Sequence, residues 1–197
     1  MPAGSQHISM AIENVNEVVA GIKHKQELGA KAVNSTIGDF TRRGPGWVSQ
    51  EITGIYNIKK KDITESQKGK RNGGKVKVYA TSIEDVKLVY RGRLLTPIHF
   101  GMKPSKRPKR PYRVSMEVKK GERKNLPKGV FLAPAGTGEK QIPFQRVGDK
   151  RLPIESKHSV SVPQMITNKE VSDNIYQRLN QELAKRLEHN ISRYKNK

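Results

Sequence analysis

The spacing of apolar residues changes twice along this chain, and that change constrains the fold more than any single motif does. From Ile12 onward apolar residues recur at steps of three and four, and near the end of the chain they recur every four residues. Between these regions, residues 112–118 alternate between apolar and polar side chains. Because a helix repeats every 3.6 residues and a strand every two, the pattern predicts helices at both ends and strands between them. The predicted fold class is α+β: an antiparallel β-sheet packed with a long N-terminal helix and a long C-terminal helix, and carrying a basic extended loop.

The N-terminal helix is predicted over residues 10–42. Its end is expected at the basic pair 42–43, because the Gly-Pro-Gly sequence at 44–46 follows and proline cannot continue a helix. The residues of its apolar stripe are Ile12, Val15, Val19, Ile22, Ala30, Val33, Ile37 and Phe40.

Two further helical regions follow from the same spacing. Residues 47–63 predict one or two short helices, with Trp47 as a core residue beside a helix start. The C-terminal helix is predicted from about residue 169, with Asn168 as its cap. Its apolar stripe consists of Val171, Ile175, Leu179, Leu183, Leu187 and Ile191.

The antiparallel sheet is predicted between residues 75 and 162. Alternation and turn signals indicate its first strands at residues 76–80, 86–90 and 112–118.

Residues 128–165 predict a small scaffold that presents arginines and lysines from a sheet. Residues 129–133 are a short apolar run typical of a buried strand, and residues 142–147 can return as the second strand of a hairpin. Pro143 is expected on an edge, because proline has no N–H to donate to a neighbouring strand. Residues 151–154 start a third extended piece.

The length of 197 residues fits one large domain or two small ones, and we expect a single α+β domain. Its parts are a helical region at 1–63, the sheet with basic loops at 64–166 and the C-terminal helix at 167–197. Apolar residues make up only 34% of the chain, so we expect a modest core and expect part of the chain to gain order from neighbours.

The chain carries 39 basic and 18 acidic side chains, a net charge of +21, which indicates a polyanionic partner or an acidic protein surface. Residues 103–128 hold eleven basic and two acidic residues, and residues 59–77 hold eight and two. Prolines at 104, 108 and 111 predict an exposed, extended arm over residues 101–111. The candidate residues for binding DNA or an acidic partner are Lys70, Arg71, Lys103, Lys106, Arg107, Lys109, Arg110 and Arg113.

Cations on such an arm suit phosphates, because each neutralised phosphate releases a counterion. The simpler interpretation is a solvated basic face. Base-specific recognition is not expected, because neither basic cluster lies on a recognition helix and no stacking aromatic residues interleave with it.

No catalytic or metal-binding signature is found in the sequence. There is no phosphate-binding loop motif, no HExxH motif and no cysteine, and the five histidines are scattered over unrelated elements. We therefore predict a protein that is not an enzyme and has no cofactor and no metal. With no apolar run long enough for a membrane span and no signal peptide, it is expected to be made in the cytoplasm.

A set of segments, taken in order, resembles the prophage minor tail protein Z, or tail-completion, family of long-tailed bacteriophages. The most specific pieces are RLPI at 151–154 and SVPQM at 161–165. The other segments are AVN at 32–34, YNIKKKDI at 56–63, LTPIHF at 95–100, KGVFLA at 128–133 and the SV pair at 159–160, which leads into SVPQM. The similarity spans about residues 30–195.

The resemblance implies a structural virion protein at the head-proximal end of the tail. Its expected roles are tail completion and head–tail joining as a subunit of a neck or tail ring, and it implies helices packed on an antiparallel sheet. The expected partners are other copies in a hexameric ring, the tail terminator or tail tube, neck or connector proteins and, through the basic arm, phage DNA. The alternative is a sequence-independent nucleic-acid-binding protein of ribosomal type, since ribosomal proteins also use arms rich in proline and lysine.

Overall fold

The structure, a computed structural model, describes residues 6–11, 26–67, 76–80, 82, 85–136 and 140–195. The helices in these ranges are α1 (Gln26–Ile55), α2 (Lys60–Gln67), α3 (Val162–Ile166) and α4 (Lys169–Lys195), with a 3-10 turn at Pro97–Phe100. The strands are β1 (Gln6–Ala11), β2 (Val76–Ala80), β3 (Val86–Gly92), β4 (Ser115–Glu117), β5 (Arg123–Asn125), β6 (Phe131–Pro134), β7 (Gln141–Arg146) and β8 (Ile154–Ser156).

The predicted α+β class is confirmed, but the strands do not form one sheet. They form three small antiparallel sheets, with strand orders β1-β3-β2, β4-β5 and β6-β7-β8. The strand predicted over residues 112–118 is restricted to β4, which pairs with β5 and, at Ser115, with Lys103. β4 and β5 have three residues each and form a sheet separate from the other two.

The N-terminal prediction is wrong at its start, because Met10 and Ala11 belong to strand β1 and not to a helix. Strand β1 pairs antiparallel with β3 and places Ile8 opposite Tyr90. Its six residues alternate weakly, so the strand depends on a partner that lies about 80 residues later in the sequence. The predicted helical residues 12–25 lie outside the described part of the chain.

The predicted end of the first helix at residues 42–46 is also wrong, because α1 continues through Pro45 to Ile55. Proline removes one backbone hydrogen bond from a helix interior. Packing outweighs this loss: the Phe40 and Trp47 rings meet edge to face with centroids 5.6 Å apart, and Val48 and Ile52 are fully buried. Trp47 lies in the core, as predicted.

The C-terminal helix begins at Lys169, as predicted, and its stripe from Val171 to Leu187 is buried in the main core. It packs antiparallel along α1. Near one end of this contact the Ser35 and Tyr194 hydroxyls are 2.8 Å apart, and the buried Asn190 amide donates to the Thr36 hydroxyl at 3.1 Å. The two amphipathic helices therefore cover each other, with β3 and α3 against the same core.

A second, smaller core lies under the sheet β6-β7-β8. Its buried side chains are Met102, Val114, Leu126, Val130 and Leu132. The hairpin of β6 and β7 is confirmed, but Pro143 lies in the central strand β7 and not at an edge. The Pro143 carbonyl accepts from the Lys157 N–H at 2.8 Å. The Pro143 nitrogen, which has no hydrogen to donate, faces the same side, just beyond the end of β8. No strand-to-strand hydrogen bond is therefore lost there.

Candidate polyanion-binding site

The basic arm, residues 103–113, starts and ends at the second core. Lys103 and Ser115 exchange two backbone hydrogen bonds of 2.8 Å, which close the arm into a loop. Between them the prolines prevent helix and ladder formation, as predicted, and most side chains of the arm are exposed. Met102 and Val114, on either side of it, are buried. The arm is therefore an extended segment with both ends fixed.

Two hydrogen bonds hold the arm beside the sheet. The backbone N–H of Arg107 donates to the Gln141 side-chain oxygen on β7 at 2.6 Å. The Tyr112 hydroxyl accepts from the Leu132 N–H on β6 at 2.9 Å. β6 is an outer strand of its sheet, so the Leu132 N–H points away from β7 and meets none of the described strands. The Tyr112 hydroxyl therefore satisfies this backbone donor.

One face of the sheet β6-β7-β8, on the side of the arm, carries aromatic and basic side chains. Phe131 lies opposite Phe144, and Arg146 lies opposite Ile154, so all four share one face, while Leu132 and Pro143 point the other way into the core. The Phe131 and Phe144 rings are 6.3 Å apart, and the Arg146 guanidinium lies over the Phe131 ring at 5.3 Å. This guanidinium position is a cation–π contact.

The arm and the sheet enclose an open cleft of about 790 Å³. Five cationic side chains line it, and no carboxylate is found among its described lining residues. Three of the cations come from the arm and two from the sheet and its following loop: Arg107, Lys109, Arg110, Arg146 and Arg151. Tyr112, Phe131, Leu152 and Ile154 supply ring and apolar surface.

The two acidic side chains of the segment that contains the arm are paired with cations outside the cleft lining. Glu117 on β4 binds Arg123 at 3.2 Å, and Glu122 lies 3.4 Å from Lys124. These are the two acidic residues of the segment 103–128, so its cations within the arm keep an excess of positive charge. Since like charges at close range repel each other, a polyanion in the cleft would relieve that repulsion.

The structure brings together only part of the predicted binding set. Arg107, Lys109 and Arg110 line the cleft. Lys103, Lys106 and Arg113 are exposed on the same arm but are not among the lining residues. Lys70 and Arg71 lie outside the described residues.

Sequence reasoning missed Arg146, Arg151, Tyr112 and Phe131 as members of this site. Contrary to the expectation that no stacking aromatic residues interleave with the basic cluster, Tyr112 lies within the arm, and Tyr112 and Phe131 line the cleft with the cations. Phe131 lies 18 or more residues after the arm in the sequence. It reaches the cleft through the pairing of β6 with β7. The one available signal was the excess of arginine and lysine in residues 128–165, which predicted basic side chains on a small sheet.

The other polar clusters offer less chemistry. The His99 Nδ1 atom lies 3.4 Å from the Asp62 carboxylate. No group of three or more histidine, aspartate or glutamate side chains that could hold a metal ion is found in the described part of the chain. None of the helices among the described residues is both long enough and apolar enough to cross a membrane.

Asp39, between α1 and α4, has a pKa that is shifted by its surroundings. Burial alone would raise its pKa, but hydrogen bonds from Arg42 and Asn190 and the charges of Arg43 and Arg42 bring the pKa below the usual 3.8. The group is therefore ionised at neutral pH and acts as a structural link between the two helices.

Comparison of the chain with protein-family models, with curated proteins and with solved structures finds no match. The resemblance to the tail-completion family thus rests on the sequence segments quoted above and remains a prediction.

Proposed function

We propose that the protein is a structural, non-catalytic subunit of a long-tailed bacteriophage virion. It acts at the head-proximal end of the tail, in tail completion and head–tail joining. The observation that carries this proposal is the ordered set of segments from residue 32 to residue 165 that resembles the tail-completion family.

The positions of these segments in the fold support the proposal. The segment 95–100 bonds to the segment 159–165: the Ser159 N–H donates to the Leu95 carbonyl at 2.7 Å, and the Leu95 N–H donates to Val160 at 3.3 Å. The segments 128–133 and 151–154 reach β6 and β8, which flank the same strand β7. Segments that contact one another in the fold are more easily explained as parts of one shared architecture than segments that lie far apart.

The subunit works in a closed ring, for which we propose a hexamer because the tails completed by this family are six-fold. A head-to-tail interface that closes on itself makes such a ring. Its neighbours are the tail terminator or tail tube and the neck proteins. The basic arm faces either the DNA passage or an acidic surface of a neck protein.

The test is made in the phage that encodes the chain. Loss of the protein should leave filled heads and unjoined tails, visible by electron microscopy, and the wild-type gene supplied in trans should restore joining. Quantitative mass spectrometry of purified virions should give the copy number of a hexameric ring. Virions that lack the chain, or normal joining without it, would contradict the role, and one copy per particle would contradict the ring.

A sequence-independent nucleic-acid-binding protein of ribosomal type is the second candidate. The carboxylate-free cluster of cations in the cleft favours it, because ribosomal proteins meet phosphates with similar arms. The two candidates separate on fractionation of infected cells. Co-sedimentation with ribosomal subunits in low salt would support the second, and co-purification with tails would support the first.

A further inference from the structure

The cleft between the arm and the sheet β6-β7-β8 combines a cationic surface with an aromatic and apolar one. The five cations line it together with Phe131 and two exposed apolar side chains, Leu152 at 65% and Ile154 at 37% exposure. We propose that this cleft binds single-stranded nucleic acid, with phosphates on the cations and bases against Phe131 and its apolar neighbours.

The charge of the cleft selects a polyanion. None of Arg107, Lys109, Arg110, Arg146 and Arg151 forms an ion pair with a described carboxylate. A bound strand with several phosphates gains affinity by releasing the counterions that these cations and phosphates held separately.

The aromatic and apolar lining of the cleft selects a single strand over a duplex. A duplex presents phosphates at its surface and keeps the faces of its bases stacked inside, so it would offer no apolar surface to the part of the cleft formed by Phe131, Leu152 and Ile154. A single strand offers unstacked bases, and aromatic rings on a small sheet bind such bases by stacking without regard to sequence. The Arg146 guanidinium, already over the Phe131 ring, adds a second planar surface for a base.

The arm is already held in the position that binding needs. The Lys103–Ser115 bridge fixes both ends, and the hydrogen bonds from Arg107 to Gln141 and from Leu132 to Tyr112 fix the arm against the sheet. A segment held in place before binding loses less conformational entropy when a ligand arrives. A cleft of about 790 Å³ also falls within the usual range for ligand sites, about 300–1,000 Å³.

The binding does not depend on the virion role, because it is measured on the purified full chain. Fluorescence anisotropy compares a labelled oligo-dT of about 15 nucleotides, within the site sizes known for single-strand binders, with a duplex of the same length. An acidic peptide rich in glutamate and leucine serves as the rival ligand. We expect oligo-dT to bind about tenfold or more tightly than the duplex, and its affinity to fall steeply with salt.

Two pairs of variants separate stacking from charge. Phe131→Leu keeps an apolar side chain and should weaken oligo-dT binding about tenfold while leaving the duplex unchanged, whereas Phe131→Tyr keeps the ring and should bind as the wild type does. Arg146→Ser with Arg151→Ser should weaken binding and reduce its salt dependence. Lys120→Ser with Lys169→Ser removes the same charge at exposed positions outside the cleft lining and should have a much smaller effect.

The folded state of every variant is checked by circular dichroism. Should Phe131→Leu not fold, quenching of 2-aminopurine emission in an oligonucleotide bound to the wild type reports the same stacking. The proposal is overturned if oligo-dT and duplex bind equally and 2-aminopurine emission does not change, if the acidic peptide binds more tightly and displaces oligo-dT, or if no nucleic acid binds. If loss of the chain in the phage prevents head–tail joining but the purified protein binds no single strand, the proposed virion role stands and only this site is refuted.

Discussion

At the scale of single residues, Asp39 makes stability depend on pH in a definite direction. Its pKa in the folded chain lies below the usual 3.8, since the bonds from Arg42 and Asn190 and the nearby arginine charges outweigh burial. A carboxyl with a lowered folded pKa stabilises the fold above its unfolded pKa, and that stabilisation disappears as pH falls through the folded pKa. Asp39→Asn should lower the free energy of unfolding by about 1 kcal/mol at pH near 6, and by much less under acid conditions.

Urea denaturation at the two pH values measures the difference. Asp149→Asn is the matched control, because Asp149 is exposed and forms no ion pair among the described residues. An equal loss for Asp39→Asn at both pH values would show that the amide disturbs packing and that the charge of Asp39 is not what stabilises the fold.

At the scale of secondary-structure elements, the close approach of β3 to α3 depends on Gly92. A Cβ atom built at Gly92 would lie 2.9 Å from the Pro163 Cδ atom, nearer than real contacts allow. The proline ring cannot rotate away, and the capping box of Ser161 and Gln164 holds the start of α3 in place. Gly92→Ala should therefore push the helix from the sheet and lower the free energy of unfolding by about 1–3 kcal/mol.

Gly148→Ala provides the comparison, since nothing lies within 4 Å of a Cβ atom there. Thermal unfolding followed by circular dichroism should show a clearly lower midpoint for Gly92→Ala and almost no change for Gly148→Ala. Equal midpoints for the two variants would mean that β3 and α3 can move apart without a loss of stability.

At the scale of the whole molecule, the net charge of +21 acts against folding. Folding brings like charges closer together, and the ion pairs of the described residues are few beside this excess. Salt reduces the Debye length from about 30 Å at 0.01 M to about 3 Å at 1 M, which screens the repulsion. The midpoint of thermal unfolding should therefore rise with NaCl over this range.

The control replaces NaCl with a neutral osmolyte at equal osmolality. The osmolyte does not screen charges, so it should not reproduce the part of the rise in the unfolding midpoint that comes from screening. A midpoint that falls with NaCl would mean that attractive ion pairs outweigh the general repulsion.

Several elements were predictable because their causes are local. The stripe from Val171 to Leu187 repeats at helical spacing, so the C-terminal helix was correct at its start and in its buried face. The hairpin of β6 and β7 was marked by two apolar runs around glycines 136 and 138. The proline-rich arm was correct because three prolines exclude helix and ladder whatever surrounds them.

Other elements were decided by contacts between distant residues. Strand β1 exists because β3 offers it an edge, and α1 passes through Pro45 because Trp47, Val48 and Ile52 find room in the core. A local signal such as Gly-Pro-Gly is worth a few kcal/mol at most, and burial of three large side chains is worth more. Neither outcome can be read from a window of the sequence.

The amino-acid sequence by itself determined the fold class, the C-terminal helix, the extended arm and the excess of positive charge, because composition and short-range periodicity are enough for each of them. Only the tertiary structure decided that the arm lies against β6-β7-β8, that Arg146, Arg151 and Phe131 join Arg107, Lys109 and Arg110 in one cleft, and that Glu117 and Glu122 are paired elsewhere. The physical reason is that a binding site is an arrangement of side chains in space. Which cations share a space with which rings is fixed by strand register and by two hydrogen bonds that span long stretches of chain.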